Sequence, residues 1–204
     1  MNVVLLYSKY GMARFISSRD TVRAIERNLR RAKVPLVFSK GFHPHPIMSF
    51  LDSSPVGVVN RALYFSLKVE SWDREMFSLL KKTAARGLEP IKYWISDIEI
   101  NSVVDSYSYK IILEKVNVDM SYLSLDSVIE KGKSKREYKL RELVKDFQVK
   151  DLKRYYVLKY TSKREKIFSP WEIVRLVKVR DGIFIPVIEE AMSGGKPLRR
   201  VLEG

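Results

Sequence analysis

The amino-acid sequence predicts an α+β protein built from two ferredoxin-like modules, of which the second is diverged. Three observations lead to this prediction. Residues 1–100 follow the order β-α-β-β-α-β, which is the element order of a ferredoxin-like module. Residues 101–204 again mix apolar strand patterns with helix signals. Hydrophobic residues make up 46% and charged residues 30% of the 204 positions, a composition that supplies a packed core. No apolar run in the sequence is long enough to span a membrane.

The first module is expected to begin with a buried strand at residues 3–7, because that run is apolar. Ser17 and Asp20 resemble a capping box, so a helix should start there and run to about Lys33. Its core-facing residues recur at three- and four-residue spacing and are Val22, Ile25, Leu29 and Ala32. Strand patterns then follow at residues 36–38, 63–69 and 88–95, and residues 47–51 could form a further short strand. A second helix is expected between Ser71 and Gly87.

Residues 101–106 form a plausible junction, so the predicted domains are 1–100 and a smaller α+β domain, 101–204. The second domain should contain strands at residues 107–116, 154–160 and 182–188. Residues 119–131 are expected to be partly helical. A further helix is expected from Ser169, with Pro170 at its first position. The last dozen residues are expected to form a loose tail.

The charge of the chain is strongly positive and unevenly distributed. The formal net charge is +14, and residues 1–46 carry nine basic against two acidic residues, which is half of the excess. A second basic run extends from Lys131 to Arg141. Such a charge indicates an anionic partner. We expect nucleic acid rather than a membrane surface, because no amphipathic helix with a bulky apolar insertion face is present.

Arginines on the first predicted helix recur at the same spacing as its core residues but on another face. They are Arg19, Arg23, Arg27 and Arg30. One interpretation is a solvated face on which Glu26 pairs with a neighbouring arginine. However, one glutamate cannot neutralise four arginines, and the guanidinium group is suited to bidentate contact with phosphate. The pattern therefore favours anion binding.

Both histidines of the chain lie in one loop, Gly41-Phe42-His43-Pro44-His45-Pro46. A metal site would need a third ligand, and only carboxylates such as Asp20 or Asp52 are available, so we predict no metal. Two other interpretations stay open. The loop is either a rigid connection whose histidines bond to the backbone, or a surface whose rings contact phosphates and bases.

No catalytic motif and no cofactor motif is found in the sequence. There is no nucleophile elbow, P-loop or dinucleotide fingerprint, and the Gly194-Gly195-Lys196 string lacks the other residues of a P-loop. Cysteine is absent, which excludes a disulfide partner and favours a reducing cytoplasm. One Gln and five Asn against abundant charged residues are typical of a thermophilic source.

A dense motif runs through residues 7–69. Its residues are Lys9, Gly11, Arg14, Phe15, Ile16, Ser17, Asp20, Arg23, Arg27, Leu29, Arg30, Arg31, Ala32, Pro35, Phe38, Ser39, Gly41, Phe42, His43, Pro44, His45, Pro46, Ser49, Phe50, Pro55 and Gly57. With them the sequence resembles the bacterial "radical SAM-linked protein" family. The stretch from Lys131 to Arg141 resembles a later basic signature of that family.

The resemblance implies an accessory role in RNA processing or modification. In that family the domain is often fused behind, or encoded beside, a B12-binding-type radical SAM protein, and genes for ribosomal proteins and ribonuclease G are often near. Three departures stand out. The family usually has Ser-His-Leu-Asp where this chain has Ser17-Ser18-Arg19-Asp20, acidic residues where it has Leu63 and Ser66, and Asp-Leu-Arg where it has Lys139-Leu140-Arg141. Acids and a histidine are lost while basic residues remain, which favours binding over catalysis.

We therefore expect an RNA-binding accessory protein that acts with a radical SAM enzyme on tRNA or rRNA. Two alternatives are an enzyme acting on a small anionic substrate around His43 and His45, with Asp20 and Arg14, and an interaction module that docks an acidic protein. The predicted anion-binding residues are Arg14, Arg19, Arg23, Arg27, Arg30, Lys40, Phe42, His43, His45, Lys133, Arg136 and Arg141.

Overall fold

A computed structural model describes residues 1–116, 118–131, 136–177, 179 and 182–204, and shows an α+β protein dominated by strands. The chain forms two compact units, one of Met1–Val104 with Ser193–Gly204 and one of Asp105–Met192. The predicted domains, 1–100 and 101–204, would each fold independently, and that independent folding stays a prediction. Among the described residues, no helix has the length and apolar character needed to cross a membrane.

Residues Met1–Val104 of the first unit contain four paired strands and three α-helices. The strands are β1 (Asn2–Lys9), β2 (Met48–Phe50), β3 (Val59–Lys68) and β4 (Leu88–Ile95), and the helices are α1 (Ser18–Arg31), α2 (Arg74–Thr83) and α3 (Ile100–Val103). The strands lie in the order β4-β1-β3-β2, and every neighbouring pair is antiparallel. The first strand is the most buried, because it lies between two neighbours and carries seven buried residues in succession.

Helix α1 begins and packs as its sequence predicts. Ser17 is the N-cap, and its hydroxyl accepts a hydrogen bond from the backbone N–H of Asp20 at 3.1 Å. Ile25, Leu29 and Ala32 are buried in the core, as predicted. Val22 is only half-buried, because it borders a cleft rather than the centre of the core.

A polar network that the sequence analysis did not predict ties α1 to the rest of the core. Asn28 is buried, accepts from the Tyr7 hydroxyl at 2.8 Å, and donates to Leu80 O at 3.2 Å and Thr83 Oγ1 at 2.8 Å. These bonds connect α1 with β1 and α2 at once. They fix the rotation of α1 about its axis, because a buried amide keeps its partners.

The described residues of the second unit form four paired antiparallel strands, a two-stranded hairpin and two α-helices. Its strands are β5 (Ser106–Glu114), β6 (Val128–Lys131), β7 (Arg136–Lys139), β8 (Val144–Asp151), β9 (Tyr155–Lys163) and β10 (Phe184–Ser193), and its helices are α4 (Leu140–Leu143) and α5 (Pro170–Leu176). The four strands lie in the order β10-β5-β9-β8, and in the described part of the chain β6 pairs with β7.

Two local expectations about the second half differ in outcome. Ser169 caps α5 and Pro170 occupies its first turn, as predicted. The partly helical segment predicted at residues 119–131 is a single 3-10 turn, Met120–Tyr122, followed by β6. The helix signal failed because the chain there pairs with a partner strand, and pairing overrides weak local preference.

The prediction of a loose tail is wrong. Residues at the C-terminus form β11 (Lys196–Pro197) and α6 (Leu198–Val201) and pack within the first unit. Leu198 is fully buried, and Glu203 makes an ion pair with Lys92 on β4. Burial of the leucine side chain compensates for the entropy lost by ordering the end of the chain.

Candidate nucleic-acid interface

Four arginines line one exposed stripe of α1, and we call them the arginine face: Arg19, Arg23, Arg27 and Arg30. At about 100° per residue, they fall within about 80° of the helix circumference and extend over about 16 Å of its length. All four are exposed, whereas Ile25 and Leu29, on the opposite side, are fully buried. The helix thus has a purely basic outer stripe, because its inner stripe is fixed by the core.

The arginine face is only partly neutralised by neighbouring acids. Arg30 donates to Glu26 Oε1 through Nε at 3.0 Å and Nη2 at 2.7 Å. Arg23 lies 3.7 Å from Asp20, a long and exposed pair. Within the part of the chain that the structure describes, Arg19 and Arg27 make no ion pair. Exposed pairs of this kind contribute little free energy, so a stronger anion can displace them.

The loop that carries the histidines, residues 41–46 and here called the histidine loop, connects to the arginine face at its base. The Arg30 guanidinium lies 5.3 Å from the centre of the Phe38 ring. Phe38 bridges to Pro46 across the loop, and the Ser39 N–H donates to His45 O at 2.8 Å. At the tip, Phe42 is fully exposed. The loop therefore presents an aromatic ring to solvent beside a basic helix end.

The histidines themselves are exposed. His43, His45 and Lys40 lie on the surface, and the His45 backbone N–H donates to Ser39 Oγ at 3.1 Å. Across the described residues, no three His, Cys, Asp or Glu side chains come together as a metal site requires. Asp20 accepts from the Ser17 hydroxyl at 2.7 Å. The structure thus does not bring Asp20 together with both histidines.

Arg14 occupies a different setting from the arginine face. It lies in a 3-10 helix, Gly11–Phe15, with its guanidinium 4.7 Å from the Phe15 ring centre. Its carbonyl oxygen accepts from the Gly57 N–H at 2.8 Å, and its Nε is buried without a hydrogen-bond partner among the described residues. Arg14 is therefore half-buried and held by its surroundings, whereas the four helix arginines are exposed.

The remaining predicted residues, Lys133, Arg136 and Arg141, belong to the second basic run, and three of the four described cations of that run are paired. Arg141 makes an ion pair with Asp126, and Lys139 lies 3.7 Å from the same carboxylate. Lys131 lies 3.2 Å from Glu172 and also donates to the Ile167 carbonyl. Arg136 is exposed at the start of β7. Lys133, the last predicted residue, lies outside the described residues.

One charged residue of the first unit was not among the predicted site residues. Lys9, the last residue of β1, is 1% exposed, and its ammonium donates to Ile16 O at 3.0 Å. Burial lowers its pKa, because the charged form loses its hydration. The sequence signal for this site was a lysine placed directly after a continuous buried strand.

The fold and surface define a basic, strand-rich α+β protein with an exposed arginine helix. The chain belongs to a family described as "Uncharacterized protein conserved in bacteria (DUF2344)", which matches residues 2–170. The match covers the arginine face, the histidine loop and most of the second unit. A comparison with curated proteins finds no match.

Proposed function

We propose that this chain is an RNA-binding protein whose arginine face contacts the phosphate backbone. The observation that carries the proposal is the stripe of four exposed arginines, of which Arg19 and Arg27 make no ion pair in the described chain. A basic stripe of this kind supplies the electrostatic part of nucleic-acid affinity, because each neutralised phosphate releases a counterion. Guanidinium groups add geometric fit, since they donate two parallel hydrogen bonds to phosphate.

The histidine loop favours unpaired RNA over a duplex as the ligand. Phe42 is fully exposed at the loop tip, and its ring is free to stack on a base. Stacking is available only where bases are unpaired, as in loops and single strands. His43 and His45 are exposed on the same loop and supply donors for phosphate or base edges. The arginine face then holds the backbone while the loop holds a base.

We further propose that both units are ferredoxin-like modules. The first unit has strand order β4-β1-β3-β2, and the second has β10-β5-β9-β8, with antiparallel neighbours throughout. Taken in chain order, each sheet follows the same 4-1-3-2 arrangement. In the second unit, the hairpin β6-β7 and α4 stand where the first helix of the module stands in chain order. This supports divergence from a common plan.

The resemblance to the radical SAM-linked family supports an accessory role beside an enzyme supplied by another chain. The chain carries no catalytic constellation that we identify, and the departures from the family pattern remove a histidine and acids while the basic residues remain. In this proposal the chain binds the tRNA or rRNA substrate, and the radical SAM enzyme performs the reaction. No cofactor is assigned to this chain.

RNA binding by purified variants tests the proposal. We expect wild-type protein to bind a fluorescein-labelled single-stranded RNA of random sequence, with an affinity that falls steeply as salt rises. The double variant Arg23→Glu/Arg27→Glu should bind at least about tenfold more weakly, equivalent to about 1.4 kcal/mol. Its unfolding free energy should change by less than about 0.5 kcal/mol, because both side chains are exposed. Fluorescence anisotropy and urea unfolding measure the two quantities.

The matched control is Arg74→Glu/Lys82→Glu, which makes the same charge change on the exposed surface of α2. We expect it to weaken binding much less than the α1 variant. Equal losses in both variants would show that only total charge matters and would contradict the arginine face. If wild-type protein binds no RNA at low salt, the RNA proposal fails, and an acidic protein partner becomes the better explanation of the same surface.

A further inference from the structure

A small cleft in the first unit has a buried ammonium group in its wall. Its volume is about 40 Å³. It is bordered by the end of β1, the first turns of α1, the end of β2 with the segment after it, and β3. Apolar side chains form most of its wall, and the polar residues in the wall are Lys9, Ser18, Thr21, Ser53 and Ser54. A water needs about 10–15 Å³ on this measure, so the cleft holds about three waters or one small polyatomic ion.

The charge of Lys9 has no counter-charge. Its ammonium has three N–H donors and makes one hydrogen bond, to the neutral Ile16 carbonyl. No carboxylate pairs with it among the described residues. Asp20, the acid of the adjacent helix turn, is directed to Ser17 and Arg23 instead. A buried cation without a partner is costly, and proteins retain one where a ligand supplies the opposite charge.

Hydroxyl groups around the cleft are also uncommitted. Ser54 is only 6% exposed, yet in the described part of the chain neither it nor Ser53 or Ser18 has a side-chain hydrogen bond. Thr21 donates its hydroxyl proton to Ser17 O at 2.8 Å. The cleft thus joins one buried cation to three free hydroxyl donors. Such a set matches the oxygens of an oxyanion.

We propose that this cleft binds a single phosphate group, with Lys9 as the counter-charge and the hydroxyls of Ser18, Ser53 and Ser54 as further donors. The volume admits one such group and excludes a base or a sugar, so the rest of the ligand lies outside. The group comes either from an RNA strand or from a small phosphorylated molecule. The proposal does not rest on RNA binding by the arginine face. Burial lowers the pKa of Lys9, and a bound phosphate would raise it again.

Thermal unfolding with inorganic phosphate tests the site. A ligand that binds only the folded state raises the midpoint, by about 3–6 °C at ten times its dissociation constant for a chain of this size. We expect the unfolding midpoint of the wild type in phosphate to exceed its midpoint in sodium chloride of equal ionic strength by this amount. Phosphate also stabilises proteins non-specifically, so the quantity that decides is the difference between wild type and variants.

Two variants make the test specific. Lys9→Met keeps the length of the side chain and removes the charge, so it should lose the phosphate response while unfolding at an equal or higher midpoint in chloride. Ser54→Asp places a carboxylate in the cleft and should also lose the response. If either folded variant responds to phosphate as wild type does, the proposal is wrong. It is also wrong if wild type shows no response beyond chloride, in which case Lys9 serves only its bond to Ile16.

RNA affinity then identifies the source of the phosphate group. If RNA supplies it, Lys9→Met should weaken binding of the single-stranded RNA about tenfold, and inorganic phosphate should compete. If a small phosphorylated molecule supplies it, RNA affinity should stay unchanged while the phosphate response is lost. Arg23→Glu/Arg27→Glu should keep the full phosphate response in either case. The failure of this site and the failure of the arginine face are therefore distinguishable.

Discussion

The two basic regions of the chain look alike in sequence and differ in structure. The arginine face lies on a helix whose inner side is fixed by the core, and half of its guanidinium groups have no acidic partner in the described chain. The described cations of the basic run in the second unit lie on β6, β7 and α4. There, Asp126 pairs with Lys139 and Arg141, and Glu172 pairs with Lys131.

The comparison teaches that an excess of basic residues is not the same as available positive charge. Acids distant in sequence neutralise the second run, because folding brings Asp126 and Glu172 to it. Among the described residues, the acids that pair with the arginine face are Asp20 and Glu26, which lie on the same helix. The first region is therefore suited to an external anion, whereas the second uses most of its described charge to hold its own structure.

The largest effect expected from this comparison is the loss of stability in Lys131→Met. The side chains of Lys131 and Glu172 are both largely buried, and the ammonium also donates to the Ile167 carbonyl. Removing the ammonium leaves the Glu172 carboxylate and the Ile167 carbonyl without this donor. The free energy of unfolding should therefore fall by about 2 kcal/mol. Urea unfolding followed by circular dichroism measures the change.

Lys150→Met is the control, because Lys150 is exposed on β8 and makes no ion pair in the described structure. We expect it to change the unfolding free energy by less than about 0.5 kcal/mol. An equally small effect of Lys131→Met would show that the second run is as uncommitted as the arginine face, and the contrast between the regions would disappear.

A smaller effect, on RNA affinity, is expected from Asp126→Asn. This substitution leaves cations of the second region without an acidic partner, as in the arginine face. The substitution frees Arg141 and Lys139 from their shared carboxylate. Exposed pairs of this kind contribute about 0.5 kcal/mol, so RNA affinity at low salt should rise about two- to threefold. Fluorescence anisotropy with the single-stranded RNA measures it. An unchanged affinity would mean that the second unit does not contact RNA even when its charges are released.

The smallest expected effect is a difference between Arg27 and Arg30 in how much each contributes to the salt dependence of RNA binding. Arg27 makes no ion pair in the described chain, whereas Arg30 is held by Glu26 and lies on the Phe38 ring. Arg27→Ala should lower the magnitude of the salt slope for single-stranded RNA by about 0.7, the value of one lost phosphate contact. Arg30→Ala should lower it less, because its charge is already shared. Equal changes would show that the Glu26 pair opens on binding.

Much of the first unit was predictable because its signals are local. The cap at Ser17, the core stripe of Ile25, Leu29 and Ala32, and the outward direction of the arginines all follow from helix periodicity. The histidine loop was placed correctly as a loop for the same reason, since Gly and Pro act on their own backbone. These features depend on residues close in sequence and not on tertiary contacts.

Features that depend on contacts distant in sequence were not predictable. Asn28 is a polar residue inside a helix, and its place in the core depends on hydrogen bonds with Tyr7 and Thr83, which are distant in sequence. Leu198 and Leu202 gave no clear pattern, so the C-terminal segment was mistaken for a loose tail. The weak pattern at residues 119–131 was decided by pairing of β6 with β7.

The sequence by itself determined the α+β class, the unequal distribution of charge and the face of α1 on which the arginines lie, because composition and periodicity act over a few residues. Only the tertiary structure decided which cations are paired and which are buried. Asp126 and Arg141 are fifteen residues apart, and Lys9 is a buried cation only in the folded first unit. Coulomb energy and desolvation depend on distances in space, and sequence separation does not give those distances.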